Sequence, residues 1–387
     1  MTRSKIQVCL VSDQPIPNLL PIADPESRPD QVILLVSQEK IRQAEWLKSQ
    51  MQHYPDCLVT IKPCAAFDYR PMEETVFDVL VEHADDDVTL NATGGTKLMV
   101  LAAFGAFRTM GLPAFYVDTT HNEVIYLLPS TPGKPMEVER RSLANRMKIT
   151  AYLESYGYQI TRKNRKSVPR EWVELGQWLV QNVPKLSEPL HELNRLADQA
   201  KKNKSLLSSI TTLWSNESFR ALVERFERVG ILREERQALR FENEEKRFFA
   251  NGGWFEHYVF GVVDRLRGRL GITDLMENVT VVSPDGVPNE FDVVFTANNR
   301  LYIIECKTKA FERDGSELQS HSLYKLEALI EKVGGLFGTT MLVSYHSFDR
   351  HVEKRFGESK KVQLVRYTEL RNLESRLYQW VNSRKSS

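Results

Sequence analysis

The chain has no excess charge of either sign, few cysteines and no apolar run of membrane length. Its 52 Lys and Arg stand against 51 Asp and Glu, a formal net charge of +1. Overall electrostatics therefore do not mark a nucleic-acid binder, and any basic surface has to be local. The four cysteines, Cys9, Cys57, Cys64 and Cys306, form no CxxC pair. That speaks against a disulfide framework or zinc ligands and for buried thiols in a reducing compartment. The longest apolar run, 98–107, is too short to span a bilayer, and residues 1–5 lead into a strand-like stretch without a signal-type segment. Internal repeats and low-complexity tracts are missing as well. The expectation is a cytoplasmic globular protein with no membrane association. With 387 residues, 42% hydrophobic and 27% charged, it is too long for one ordinary core and fits two or three domains.

Three stretches differ in character. Residues 1–136 alternate strand signals (6–11, 31–36, 57–61, 88–90, 114–117) with helical ones (39–51, 73–84, 97–110). Short apolar strands joined by helices read as a mostly parallel sheet covered on both faces. A last strand, 123–128, follows the turn Thr119-Thr120-His121-Asn122 and is expected antiparallel to its predecessor. The proline-rich 129–135 marks a boundary. Residues 137–245 are highly charged and read as a helical connecting region, for instance over 171–181 and 219–228. Residues 246–387 read as a second α/β domain, with helices over 253–270, 318–333 and 367–381 and strands over 289–295, 301–307, 340–343 and 362–365.

The chemistry concentrates in that last stretch. Asn289-Glu290-Phe291-Asp292-Val293-Val294-Phe295 and Leu301-Tyr302-Ile303-Ile304-Glu305-Cys306-Lys307 flank Asn298-Asn299. A two-residue turn at the asparagines places Asp292 opposite Glu305 and Glu290 opposite Lys307. Directly opposed side chains lie about 5 Å apart at Cβ, where like charges repel unless something cationic intervenes. Alternation puts Phe291, Val293, Phe295, Tyr302, Ile304 and Cys306 on one greasy face and the acids and lysine on the other. An ordinary solvated hairpin face does not explain the opposed acids. Carboxylate oxygens hold Mg²⁺ or Mn²⁺ with positions open for phosphate and water, so the hairpin reads as a site for metal-dependent phosphodiester chemistry. On the helix upstream, Glu256 falls at the border of the apolar half of the wheel, near enough to join, and His257 points away.

A second set of polar residues leaves the expected C-terminal ends of strands in the first domain, where open α/β sheets bind ligands. In Asn91-Ala92-Thr93-Gly94-Gly95-Thr96-Lys97, the glycines permit close backbone approach and the helix start favours anions. Thr93, Thr96 and Lys97 add donors. The loops containing Ser12, Asp13, Gln14 and Asn18, and Ser37, leave the same edge. Each alone is ordinary cap or turn chemistry; three on one edge are better explained by one ligand, bound by Ser12, Asp13, Gln14, Asn18, Ser37, Thr93, Gly94, Gly95, Thr96 and Lys97.

Glu256, Asp292 and Glu305-Cys306-Lys307 resemble the PD-(D/E)xK nuclease superfamily, with Phe291 where the motif's name has proline. The resemblance implies that Asp292 and Glu305 ligate metal, Lys307 positions water and Glu256 supports the metal shell. It leaves Glu290 as an extra ligand or a partner of Lys307, and Tyr324 and Lys325 as phosphate contacts. The N-terminal strand–NATGGTK–helix element and Ser12-Asp13 loop resemble CARF (CRISPR-associated Rossmann-fold) sensor domains. Together the two ends resemble the CARF–nuclease effectors of type III CRISPR defence. That implies an endonuclease acting on DNA, RNA or both, activated by a cyclic oligoadenylate, usually cyclic tetra-adenylate, bound across a homodimer axis. Two other readings stay open: a restriction- or repair-type nuclease without a CRISPR messenger, and a non-enzymatic nucleotide sensor.

Overall fold

The computed structural model describes residues 3–131, 139–164, 169–308, 327–328, 338–348, 350–356, 359 and 361–383. Its first sheet is built from β1 (Lys5–Leu10), β2 (Gln31–Val36), β3 (Leu58–Pro63), β4 (Asp87–Asn91), β5 (Ala114–Asp118), β6 (Glu123–Leu128) and β7 (Arg140–Ser142). The spatial order is β3-β2-β1-β4-β5-β6-β7. The first five strands run parallel; β6 is antiparallel to β5, as expected, and β7 to β6. Alternate residues enter different cores. Cys9, Val32 and Leu34 pack with α1 (Ile16–Ala23) and α2 (Ile41–Met51), whereas Val8, Ile33 and Leu35 pack with α3 (Tyr69–Glu82) and α4 (Lys97–Thr109). Burial on both faces is why these strands read as continuous apolar runs.

Helix α1 corrects one expectation: residues 16–18 are not loop. Pro17 sits at the helix start, where its missing N–H costs nothing.

The middle stretch is not helical throughout. After α5 (Ile149–Ser155) comes β8 (Gln159–Asn164), then α6 (Arg170–Gln181), α7 (Val183–Lys202) and α8 (Glu217–Arg228). A two-stranded ribbon of β9 (Leu232–Glu235) and β10 (Ala238–Phe241) and the short α9 (Glu244–Phe248) follow. The basic, helix-like 162–164 is instead edge strand, because β8 pairs with the next sheet.

That sheet has the order β15-β14-β13-β12-β11-β8, with β11 (Ile272–Val282), β12 (Pro288–Ala297), β13 (Arg300–Lys307), β14 (Thr339–Ser344) and β15 (Val362–Val365). Strands β8, β11, β12 and β13 are successive antiparallel neighbours, and β13, β14 and β15 run parallel. One face is covered by α6–α8, α10 (Trp254–Arg265) and the C-terminal helix Leu373–Asn382. The other face, through Met276, Val279, Val294, Leu301 and Ile303, joins α5 and the α1–α2 side of the first sheet in a single apolar core. First-domain and hairpin-side residues thus share packed side chains, and such an interior transmits displacement rather than absorbing it.

Candidate active site

The hairpin turn is as the sequence predicts. Asn298 and Asn299 have φ of 51° and 57°, the left-handed pair a tight two-residue turn requires. The ladder runs from Ala297–Arg300 to Val293–Ile304, the expected register. It stops one step short of the acids. In place of a further rung, Asp292 Oδ2 accepts the backbone N–H of Cys306 at 2.6 Å. The side-chain carboxylate has taken the role of a ladder carbonyl.

The greasy-face expectation needs correcting at the same position. Val293 and Phe295 pack toward α10, but Phe291 packs with Val294 in the core on the opposite face. Alternation flips at Asp292. Asn278 of β11 lies opposite, between the pairs Glu277–Val293 and Val279–Phe291, with φ of 50°. Apolar cores cover both faces of the hairpin.

Glu256 lies in the first turn of α10 and meets the hairpin acids. Its Oε2 is buried without a hydrogen-bond partner. Burial, then the nearby Glu305 and Glu277 carboxylates, push its pKa from 4.5 up to about 8. Asp292 is held well above the ordinary carboxylate range by burial and then by Glu305 and Glu256. Burial works against the Lys307 ammonium, but Glu305 and Asp292 outweigh it and raise its pKa. Lys307 Nζ sits 2.5 Å from Glu305 Oε1. Glu256, Asp292, Glu305 and Lys307 are therefore one electrostatic cluster. Glu290 is not part of it: it is exposed and pairs with Thr280 of β11, and Lys307 takes Glu305 as partner instead. Tyr324, Lys325 and most of the 318–333 helix lie outside the described residues.

Two neighbours escaped the sequence reading. His257 does not point away; its Nδ1 is 2.8 Å from Oε2 of Glu277, which is 1% exposed. Glu277 belongs to β11, whose β-branched Thr280-Val281-Val282 run is the sequence signal for that strand. Gly252 is the third special position near the site. At φ of 104°, an added Cβ would lie 2.2 Å from Thr308 Oγ1, so the turn before α10 closes on the residue after Lys307 only as glycine.

Three half-buried carboxylates, one with a buried oxygen lacking any donor, fit a hard divalent cation. Their oxygens do not all lie within 4.8 Å of one another; the group of described residues that meets this limit is Asp118, His121 and Glu123 at the β5–β6 turn. There Asp118 already accepts from Thr120 and His121, and Glu123 is paired with Arg140.

The raised carboxyl pKa values have a thermodynamic consequence. Between the ordinary carboxylate range and about pH 8, folded Glu256 keeps a proton that the unfolded chain has released. The folded state then binds more protons, so stability falls as pH rises through this window. The thermal midpoint of the metal-free protein is expected to drop more steeply from pH 5.5 to 8 than that of Glu256→Gln. Parallel profiles for the two proteins contradict this.

At the other site, loops after β2, β1 and β4 lie side by side because those three strands are adjacent and parallel. Ser12, Gln14, Thr93, Gly95 and Thr96 are partly exposed and Asp13 and Lys97 exposed. Asn18 and Ser37 are buried. Asn18 is in α1, its amide donating to Leu10 O and accepting from Asn91. The threonine hydroxyls are engaged too. Thr93 donates to Asn91 Oδ1 and accepts from Val117 N, and Thr96 donates to Ala66 O while capping α4 through Met99 N. A Cβ on Gly94 would lie 2.1 Å from Leu10 O, so that glycine serves packing against β1. Ser12, Asp13 and Gln14 also line a cavity of about 300 Å³ with Gln43, Trp46 and Tyr156.

Residues 6–152 match the family described as the Card1 CARF domain, and residues 243–384 match the Card1-like endonuclease domain. Among solved structures, protein VC1899 from Vibrio cholerae is similar at 26% identity and TM-score 0.87, covering 99% of each chain. Can2 from Sulfobacillus thermosulfidooxidans, solved with cyclic tetra-adenylate, is similar at 28% identity and TM-score 0.81, over 98% of this chain and 99% of that one. A type III CRISPR defence DNA nuclease activated by cyclic oligoadenylate shares the fold at 15% identity and TM-score 0.58, over 93% of this chain and 52% of that one. No curated protein matches. Residues 6–152 are thus a CARF domain and residues 243–384 a Card1-like endonuclease domain, in that order along the chain.

Proposed function

We propose that the chain is an endonuclease that uses Mg²⁺ or Mn²⁺, cleaves DNA and/or RNA, and is switched on by cyclic tetra-adenylate. The carrying observation is the half-buried cluster of Glu256, Asp292 and Glu305 with its buried, unpartnered Glu256 oxygen. Glu256, Asp292 and Glu305 would hold the cation, which when bound lowers the pKa of a water and stabilises charge on phosphorus. Lys307 brings a protonated amine beside them to orient the nucleophile or neutralise the phosphoryl oxygens. Glu277 fixes His257 next to Glu256 and keeps that side of the site ordered.

The activator reading assigns ligand contacts to Ser12, Asp13, Gln14, Thr93, Gly95, Thr96 and Lys97, with Asn18, Ser37 and Gly94 shaping the edge from beneath. Likeness to Can2, solved with cyclic tetra-adenylate, supports that ligand. A homodimer fits as well: Phe67, Leu98 and Leu101 are exposed apolar side chains beside this edge, where Thr96 bonds Ala66. The boundaries 1–136, 137–245 and 246–387 are part of the same proposal. Its action is placed in the cytoplasm as part of this reading; among the described residues no helix is long and apolar enough to cross a membrane.

Glu305→Ala tests the catalytic assignment. With Mn²⁺ and plasmid, cleavage should fall to background while the protein stays folded. Unchanged cleavage would sink the assignment and favour an acidic hairpin that is only structural.

A further inference from the structure

The hairpin that carries Asp292 and Glu305 is gripped at its turn by the CARF side of the molecule. Asn299 is 2% exposed. Its Oδ1 accepts from Arg146 N at 3.0 Å and Met147 N at 3.1 Å. Its Nδ2 donates to Ala144 O at 3.0 Å and Asn122 Oδ1 at 3.4 Å. Asn122, in the β5–β6 turn, donates in return to Asn298 O at 2.9 Å, and Arg300 donates to Thr120 O at 3.2 Å. A two-residue turn of this kind is most favourable as Asn-Gly. This chain places Asn at the second position and spends its whole side chain on the segments 122 and 144–147.

The other end of this contact leads to the ligand edge. Thr93 accepts from Val117 N at 2.8 Å, and Ala92 N donates to Phe115 O at 2.8 Å, so the glycine loop is bonded along β5. Strand β5 ends at Asp118 and runs straight into the turn that holds Asn122. From the gripped turn, the ladder continues toward the acids, roughly 17 Å away at about 3.4 Å per residue. The partner acid Glu256 rides on α10 and not on the hairpin, and the three carboxylates do not yet close within 4.8 Å.

We infer that Asn299 is a positioning residue that couples the two domains. Through it, a shift of the β5–β6 turn slides the hairpin against α10 and sets whether the Asp292, Glu305 and Glu256 oxygens close tightly enough to share one cation. This rests on the proposed function, and it adds the element that the activator biases. Asn299 touches neither ligand nor the reacting atoms, so its removal should uncouple the sites without emptying either.

Asn299→Gly is the test, because glycine keeps the turn's positive φ and removes only the grip. The intact protein is assayed on plasmid with Mn²⁺, with and without cyclic tetra-adenylate. The stimulation ratio should fall by about tenfold or more, while cyclic tetra-adenylate affinity without metal and substrate stays within about threefold of wild type. Asn122→Gly, also at a positive φ, removes the other side of the contact and decides the matter if Asn299→Gly fails to fold. Wild-type stimulation in the folded variants overturns the inference. A wild-type protein indifferent to cyclic tetra-adenylate is a different result: it overturns the proposed activation itself.

Discussion

Asp292→Asn is expected to reduce metal-dependent cleavage by about 10³-fold, on the scale of losing a principal electrostatic group of a reaction centre, while raising the thermal midpoint of the metal-free protein at pH 8. The two effects have opposite signs for one reason. The half-buried Asp292 carboxyl sits beside Glu305 and Glu256, and desolvation and those charges push its pKa well above the ordinary range. Ionised and without a cation, it is a liability to the fold. Asparagine keeps an oxygen to accept the Cys306 N–H and loses the charge. A residue whose removal stabilises the resting protein is retained for something other than folding. Circular dichroism melts in chelator, together with plasmid cleavage in Mn²⁺, measure both sides. Cleavage within tenfold of wild type, or a lower midpoint, contradicts the assignment.

Gly94→Ala is expected to destabilise the CARF domain by about 3 kcal/mol, the upper end of the range for overpacking a tight contact. The added Cβ would lie 2.1 Å from Leu10 O and 3.2 Å from Leu10 C, both backbone atoms of β1. A flexible side chain could swing aside; a central strand cannot. Strand β1 is flanked by β2 and β4 and buried on both faces, so any shift disturbs its neighbours. Activation by cyclic tetra-adenylate should be lost with it, since the loops on that edge are displaced together. Gly95→Ala makes the useful comparison. There the nearest atom is Leu10 Cβ at 2.9 Å, a milder overlap than at Gly94, and φ is +80°, so a small clash adds to backbone strain, for a cost on the order of 1–2 kcal/mol. Equilibrium denaturation with the two variants side by side checks the order. A Gly94→Ala protein as stable as wild type would show that the loop does not pack on β1 as described.

Local signals carried the hairpin. Two asparagines between β-branched runs determine loop length, and loop length sets register. From register alone, Asp292 and Glu305 come to the same end of β12 and β13. The parallel sheet of the first domain was legible for a similar reason, since strands buried on both faces have no polar alternation to confuse them. What stayed hidden depends on tertiary partners. Residues 162–164 look like a solvated helix until β11 is there to pair with β8. The flip at Asp292 needs Asn278 opposite, at a positive φ on β11. Glu277 and His257 were missed with that strand. The threonines of the glycine loop show a limit of another kind. Hydroxyls beside glycines invite a ligand, yet Thr93 and Thr96 are already bonded to Asn91, Val117, Ala66 and Met99. Their types matched a binding loop, and their contacts hold the loop in shape.

The central claim is that a metal site at Asp292, Glu305 and Glu256 is controlled from the CARF domain. The direct measurement follows cleavage of plasmid, single-stranded DNA and RNA by the intact protein, in Mg²⁺ or Mn²⁺, with and without cyclic tetra-adenylate. The account predicts cleavage of at least one substrate that needs the metal and rises when cyclic tetra-adenylate is added. Cleavage that persists in chelator, or that is indifferent to the cyclic nucleotide, contradicts it.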